Sequence, residues 1–128
     1  MSIPAFIAER GFRKWYEREL IRGHSHLVLL LLATLGVIGG LEAFTERGGN
    51  RLLMVATLLV AAAIGVWALR RYLFHLMRAE AIANQAVCAH CDAYARWLIE
   101  RSEPATARSD GAMAVCCRKC GHRWRIDL

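Results

Sequence analysis

The sequence predicts a mainly α-helical membrane protein, in which a two-helix transmembrane hairpin is followed by a small C-terminal β domain. Two observations predict this fold class. Residues 27–41 and 52–69 are strongly apolar and carry no charge, and two Cys-x-x-Cys motifs follow them. The composition agrees, because 56% of the residues are hydrophobic while the formal net charge is +6. Apolar and charged residues are therefore segregated along the chain, which is unlike an ordinary soluble globular domain.

Each apolar block is long enough to cross a bilayer. The blocks are LVLLLLATLGVIGGLEAF (27–44) and LLMVATLLVAAAIGVWAL (52–69), and about 18 apolar residues cross a hydrocarbon core of roughly 30 Å. Neither block has the polar face that a helix of a soluble bundle needs, and no cleavage pattern of a signal peptide follows the first block. Glu42 is expected to be an interfacial carboxylate that pairs with Arg47 or Arg51.

The hairpin occupies residues 25–72, with spans at about 26–44 and 52–71 and a polar turn at 45–51. Basic residues concentrate outside the turn, and such residues favour the cytoplasmic side of a membrane. We therefore expect the protein to lie in the cell inner membrane with both termini facing the cytoplasm. Cysteine thiols stay reduced in the cytoplasm. The flanking basic residues are Arg10, Arg13, Lys14, Arg18, Arg22, Arg70, Arg71 and Arg78, against Arg47 and Arg51 in the turn.

Small residues in both spans predict close helix packing. Gly36 and Gly40 form a GxxxG pair in the first span, and Ala61 and Gly65 form an AxxxG pair in the second. Such pairs let helix backbones approach each other in lipid. They fit packing within the hairpin, and they also fit packing against a second copy or another membrane protein.

Helical segments are expected on both sides of the hairpin. Residues 1–24 are interpreted as a helix on the membrane surface, beginning near Ser2 and Pro4. Residues 73–86 contain no Gly or Pro, so they should continue the second span as a helix that ends near Asn84 and Gln85. The histidines near the boundary, His24, His26 and His75, are interpreted as interfacial rather than as metal ligands.

The cysteines form a spacing pattern typical of a metal site. Cys88 and Cys91 form one Cys-x-x-Cys motif, and Cys117 and Cys120 form another after residues 92–116. Two thiolates on each of two tight turns can surround one tetrahedral ion, so the pattern predicts a tetrathiolate site for one structural Zn²⁺. Gly121 suits a turn position with positive φ, and Asp92, in the matching place, tolerates it.

Residues 87–128 resemble the zinc ribbon family through the motifs VCAHCDAY and CRKCGHRW. The resemblance implies a strand over Ala93–Ile99, and a hairpin of Ala112–Cys116 and Arg123–Ile126 around the second knuckle. Neither motif contains the proline that is common in rubredoxin-type knuckles. Residues 101–111 are expected to form a surface loop by composition.

Other side chains near the cysteines are assigned different roles. Cys116 can replace Cys117 as a ligand, but is expected to be a buried apolar strand residue. His90 and His122 are expected to be solvated. Iron in place of zinc, or a dithiol redox role, stays open as a lesser alternative.

A basic and aromatic cluster near the C-terminus can face a partner or lipid. Nucleic acid is an unlikely partner, because residues 87–128 carry seven basic and five acidic residues, and four thiolates with one Zn²⁺ bring the sum near zero. The cluster consists of Arg118, Lys119, Arg123, Trp124 and Arg125.

No nucleophile–base pair, phosphate-binding loop or carboxylate dyad is evident, so no enzymatic activity is expected. A closed four-thiolate site has no open coordination position. The sequence favours an accessory or assembly subunit of a larger inner-membrane complex, or a homo-oligomer. The alternative is a membrane-tethered regulator whose zinc ribbon binds nucleic acid or a signalling protein.

Overall fold

The computed structural model describes residues 2–45, 49–104 and 111–128. Its elements are α1 (Ile3–Arg10), α2 (Phe12–Thr45), α3 (Arg51–Gln85), β1 (Trp97–Glu103), β2 (Ala112–Cys117) and β3 (Arg123–Asp127). The predicted fold class is confirmed, since two long apolar helices precede a small antiparallel sheet. The chain divides into two compact units. We call Met1–Leu20 with Leu76–Leu128 the sheet unit, and Ile21–His75 the helical unit.

The helical unit consists of long apolar helices whose side chains are mostly exposed. Both α2 and α3 are long and apolar enough to cross a membrane, and only 6% of the most apolar window of each is buried. A core helix of a soluble protein would instead bury most of its apolar residues. Leu35, for example, exposes 64% of its surface and Leu59 exposes 66%. By length, composition and exposure, the two helices suit insertion into a bilayer.

The predicted small residues lie where α2 and α3 approach each other. A Cβ atom added to Gly36 would lie 3.8 Å from the Cβ of Ala61, and one added to Gly65 would lie 3.5 Å from the Cβ of Ala33. A Cβ on Gly40 would meet Leu58 at 2.8 Å. The contacts move forward along α2 from residue 33 to residue 40 while they move back along α3 from residue 65 to residue 58, so the helices run antiparallel.

The predicted turn lies between Thr45, the last residue of α2, and Arg51, the first residue of α3. Asn50 caps α3, because its Oδ1 accepts hydrogen bonds from the backbone N–H groups of Leu52 (3.1 Å) and Leu53 (3.4 Å). This satisfies donors that have no partner within the first helical turn. The suggested pairing of Glu42 with Arg47 lies outside the described residues.

The sheet has the strand order β1-β2-β3 with antiparallel pairing throughout. β2 and β3 lie within one residue of their predicted bounds. β1 differs, because it begins at Trp97 rather than Ala93 and continues to Glu103, into the predicted loop. The reason is local: residue Tyr94 pairs with Val87, and Ala95 has a φ of +54°. The chain is therefore still closing the first knuckle where the strand was expected to start.

The segment that ends α3 is fixed to the sheet by side-chain hydrogen bonds. The Gln85 amide bonds both backbone groups of Asp127, accepting at 2.9 Å and donating at 3.3 Å. The indole N–H of Trp124 donates to the Gln85 carbonyl (2.9 Å), and that of Trp97 donates to the Ala86 carbonyl (3.2 Å). Carbonyls left without helical partners at the end of α3 are thus satisfied. The helix ends where the sequence indicated.

The N-terminal residues belong to the core of the sheet unit, which the sequence did not indicate. One cluster joins side chains of the two N-terminal helices to the end of α3 and to all three strands. A single helix over 3–24 was expected, but Gly11, with a φ of +88°, separates α1 from α2. The sheet needs this cover because one layer of three short strands cannot bury its own apolar face. The buried members are Ile7, Phe12, Trp15, Ile82, Ala86, Trp97, Met113, Val115 and Ile126.

Candidate metal centre

The structure brings the four predicted ligands together. The Sγ atoms of Cys88, Cys91, Cys117 and Cys120 all lie within 4.8 Å of one another. Two sulfur–sulfur contacts join the two motifs, at 3.5 Å between Cys88 and Cys120 and 3.6 Å between Cys91 and Cys117. A tetrahedral ion with metal–sulfur bonds of about 2.3 Å requires sulfur–sulfur separations of about 3.8 Å. The four thiols therefore fit one tetrahedral metal ion such as Zn²⁺.

No disulfide competes for these thiols. All five cysteines are free, and a disulfide would need a sulfur–sulfur distance of about 2.05 Å. The fifth, Cys116, is not part of the four-thiol cluster. Its Sγ lies 3.5 Å from the Gly121 carbonyl oxygen, and it is half-buried rather than buried as expected. The structure thus places Cys117, not Cys116, in the cluster.

The two Cys-x-x-Cys motifs form separate backbone turns with the same hydrogen-bond pattern. In the first, the Cys88 N–H donates to the Ala93 carbonyl (3.1 Å) and the Asp92 N–H donates to the Cys88 carbonyl (2.9 Å). In the second, the Cys117 N–H donates to the His122 carbonyl (2.8 Å) and the Gly121 N–H donates to the Cys117 carbonyl (3.0 Å). Each turn thus presents two sulfurs on one side, as a two-knuckle metal site requires.

Each turn depends on one residue in the left-handed region. Asp92 has a φ of +55° and Gly121 a φ of +74°, so the expectation of a positive φ at both positions is confirmed. Glycine adopts this conformation without steric cost, and aspartate adopts it more readily than most residues. The residue four positions after the first cysteine of each motif therefore decides whether the knuckle can close.

Backbone hydrogen bonds favour the thiolate form of Cys117. The N–H groups of Cys120 and Lys119 lie against its sulfur and lower the pKa of Cys117 to about 6; the Lys119 nitrogen is 3.4 Å away. This is the stabilisation of a sulfur anion by preorganised backbone dipoles.

The thiols of Cys91 and Cys120 resist losing their protons while no cation lies among them. For Cys120, a backbone hydrogen bond from His122 lowers the pKa, but burial and the neighbouring thiols outweigh it and raise the pKa to about 12. For Cys91, the Ala93 amide lowers the pKa, yet burial with Cys117 and Cys88 leaves it raised. Four thiolates in this space need a positive ion to be stable together.

The neighbouring histidines lie beside the cluster. The rings of His90 and His122 are nearly parallel with centroids 5.9 Å apart, and His122 continues the stack to Trp124 at 6.0 Å. Neither histidine belongs to the group of potential ligands found among the described residues. His90 is exposed and His122 is half-buried.

Three members of the basic and aromatic cluster are engaged within the sheet unit. Arg123 forms a salt bridge with Glu100 (3.1 Å), and Arg125 forms one with Glu103 (3.0 Å). These pairs reach across β2, where small residues leave room for them; Ala112 and Ala114 line the depression together with Arg125. Trp124 is bonded to the end of α3. Arg118 and Lys119 remain exposed.

The sequence did not predict the salt bridges of Arg123 with Glu100 and of Arg125 with Glu103, because these pairs depend on strand register. The register brings the end of β1 opposite β3, because Glu103 and Asp127 are both partners of Ala112 in the sheet. A sequence pattern shows this relation only once β1 is placed correctly.

Comparisons with protein-family models, curated proteins and solved structures give no match to this chain. Its function is therefore argued from the four-cysteine cluster and the two apolar helices.

Proposed function

We propose that this chain is a non-enzymatic, double-pass membrane protein with one structural Zn²⁺ in a cytoplasmic zinc ribbon, acting as an accessory or assembly subunit of a larger inner-membrane complex. The observation that carries the proposal is the four-thiol cluster on two matching knuckles. Four thiolates saturate a tetrahedral ion, so the metal holds the sheet unit together rather than activating a substrate.

Zinc is the favoured metal. Four sulfur donors in a tetrahedral arrangement suit Zn²⁺ or iron. A cytoplasmic setting keeps thiols reduced and available to bind metal. The sheet unit has a small core, and metal coordination contributes directly to the folding of such domains.

The arrangement of the sheet unit supports a topology in which both termini lie on the same side of the membrane. Residues 1–20 and 76–128 form one compact unit, and two candidate spans lie between these segments. If both spans cross the bilayer, the two segments emerge on the same side. The excess of basic residues outside the turn favours the cytoplasm for that side.

A role as a subunit follows from what the two units offer. The helical unit presents apolar surface suited to lipid or to other membrane helices. The sheet unit offers a small, metal-stabilised surface in which two arginines of the basic cluster are already paired with glutamates. Such pairing leaves little free positive charge for a phosphate backbone, which weighs against nucleic acid as the partner.

The test is extraction of the protein at native expression level in mild detergent, followed by native gel electrophoresis, mass spectrometry and metal analysis of the same band. We expect stoichiometric migration with a larger assembly and about one zinc per chain. Migration as a monomer or homodimer would contradict the subunit role and favour a tethered regulator. A coloured, iron-loaded protein would contradict the zinc assignment.

A further inference from the structure

A groove of about 290 Å³ lies in the sheet unit between the N-terminal helices and strand β1. Its lining residues have apolar side chains except for Arg118, but most of the surface that the groove exposes is polar, so backbone groups and the Arg118 guanidinium contribute much of its wall. The groove does not involve the four cysteines. Its lining includes Ile7, Gly11, Phe12, Trp97, Leu98, Ile99 and Arg118.

The groove runs along the edge of the sheet rather than over one of its faces. It is lined by three consecutive residues of β1, Trp97, Leu98 and Ile99. Successive side chains of a strand point to opposite faces, so a cavity that meets all three follows the strand edge. β1 is the terminal strand in the order β1-β2-β3, and no strand pairs with its outer side within the described ranges.

The apolar residues of β1 are unequally covered. Trp97 is buried, whereas Leu98 exposes 52% of its surface. An exposed leucine on an open strand edge is a feature that proteins ordinarily avoid, because it invites pairing with another chain. Here α1, Gly11 and Phe12 form the opposite wall of the groove.

Arg118 gives the groove a preference of charge. It is exposed, and within the part of the chain that the structure describes its guanidinium has no salt-bridge partner, in contrast to Arg123 and Arg125. Its backbone N–H donates to the Arg96 carbonyl (2.9 Å), which fixes the position of Arg118 beside the start of β1. A carboxylate on the bound segment would complement this cation.

We propose that the groove binds an extended peptide segment of a partner protein, which adds a strand to the edge of β1 and places a carboxylate at Arg118. Main-chain hydrogen bonds to β1 supply affinity in this mode of recognition, and the Arg118 cation selects the segment. The inference rests on the proposed function, since it names the surface through which the sheet unit holds its partner.

The test uses the full chain in its native membrane, with the photo-reactive residue p-benzoylphenylalanine in place of Leu98. Leu98 lines the groove, while Ser102 is exposed on the same strand and does not line it, so the same replacement at Ser102 is the matched control. We expect irradiation to cross-link position 98, and not position 102, to one segment of the partner protein. Peptide mass spectrometry should place the attachment beside an acidic side chain or a C-terminal carboxylate.

A charge reversal tests the cation. Arg118→Glu in the position-98 photo-probe should lower the yield of that adduct by about tenfold or more, because the favourable charge contact with the carboxylate of the bound segment becomes a repulsion. Arg101→Glu reverses the charge of another exposed arginine, which does not line the groove, and should leave the yield nearly unchanged. Both variants should retain about one zinc per chain, which shows that the sheet unit remains folded.

Three outcomes would overturn the inference. They are an adduct between two copies of this chain, an adduct with lipid alone, and no adduct at position 98 in a chain that still migrates with its complex. The last outcome would reject the groove while leaving the subunit role intact. Failure of the protein to migrate with any complex would reject the subunit role itself.

Discussion

The four clustered thiols differ in their readiness to ionise, although they share one small volume. Cys117 receives two backbone N–H groups and has a pKa lowered to about 6. Cys120 is held among three other thiols, and its pKa is raised to about 12. A bound cation removes this difference, because it stabilises every thiolate at once. Metal binding and proton loss are therefore coupled at this site.

Zinc binding at pH 7 should release at least about two protons per chain, because metal ligation deprotonates the thiols. The pKa values of Cys91 and Cys120 are raised from 9, so both hold their protons at pH 7 until the metal displaces them. Cys117, with a pKa of about 6, is already mostly thiolate. Lowering the pH below 6 protonates it and should weaken zinc binding. Titration calorimetry in buffers of different ionisation enthalpy counts the protons, and a release of one or none would contradict the assignment.

Replacing Cys117 with serine should abolish stable zinc binding, whereas replacing Cys116 should not. Only Cys117 lies among the four clustered thiols. If each of the four thiolates contributes an equal share of a typical zinc binding energy, the loss of one should weaken zinc binding by about 100-fold or more. Metal content after dialysis against a weak chelator measures the difference. Equal zinc loss in Cys117→Ser and Cys116→Ser would contradict the ligand set.

At the scale of residues, the sequence predicted the site well because the knuckle is a local structure. Spacing alone identified Cys88, Cys91, Cys117 and Cys120, and residue type identified Asp92 and Gly121 as positions of positive φ. The partners of Arg123 and Arg125 were not predictable. Those partners, Glu100 and Glu103, lie two strands away in the sheet.

At the scale of elements, the junction between α3 and β3 is the contact on which the sheet unit depends most clearly. Gln85 uses its side-chain amide as a strand would use its backbone, with one donated and one accepted hydrogen bond to Asp127. The sequence indicated the end of the helix at Gln85 but not this pairing. It also placed β1 too early, because the composition of residues 93–96 does not show that they complete a knuckle.

Gln85→Ala should destabilise the zinc-loaded protein by about 1–2 kcal/mol, because two hydrogen bonds to the backbone of Asp127 are lost. Asn84→Ala changes the exposed neighbour and should have an effect near zero. Denaturant unfolding followed by tryptophan fluorescence measures both variants, since Trp124 and Trp97 lie at this junction. Equal effects of the two substitutions would contradict the proposed role of the Gln85 amide.

Gly65→Leu should weaken the packing of α2 against α3 by about 1–3 kcal/mol, because a larger side chain must displace the opposite helix. A Cβ at Gly65 already lies 3.5 Å from Ala33, whereas nothing lies within 4 Å of a Cβ at Gly39. Gly39→Leu is therefore the control, and it should leave the thermal stability in detergent unchanged. A loss of stability in Gly39→Leu instead would indicate that the other face of α2 is the packed one.

At the scale of the whole molecule, the sheet unit joins the two regions of the chain that flank the helical unit. Ile7, Phe12 and Trp15 share a core with Met113, Val115 and Ile126. The sequence did not indicate this, because the aromatic residues of the N-terminal segment are mixed with charges and resemble those of a membrane-surface helix. Their position is explained by the apolar face of the three-stranded sheet, which must pack against another element to be buried.

Phe12→Ala should destabilise the sheet unit by about 3–5 kcal/mol, the usual cost of removing a buried phenylalanine. The effect should appear far along the sequence, as faster zinc loss from the four cysteines and faster proteolysis after residue 87. Arg13→Ala, at an exposed position, is the control. Unchanged zinc retention in Phe12→Ala would show that the sheet folds without its N-terminal cover.

The shared core also sets an order for the assembly of the protein in the cell. During synthesis the N-terminal segment emerges first, yet Phe12 and Trp15 pack with Ile126, which is translated more than a hundred residues later. Until β3 has been made, that core lacks its last strand. The aromatic side chains are then covered only by earlier members such as Ile82 and Trp97, which leaves them more available to chaperones or to the bilayer surface. The four-cysteine cluster is likewise complete only once Cys120 has been made, after the two apolar helices.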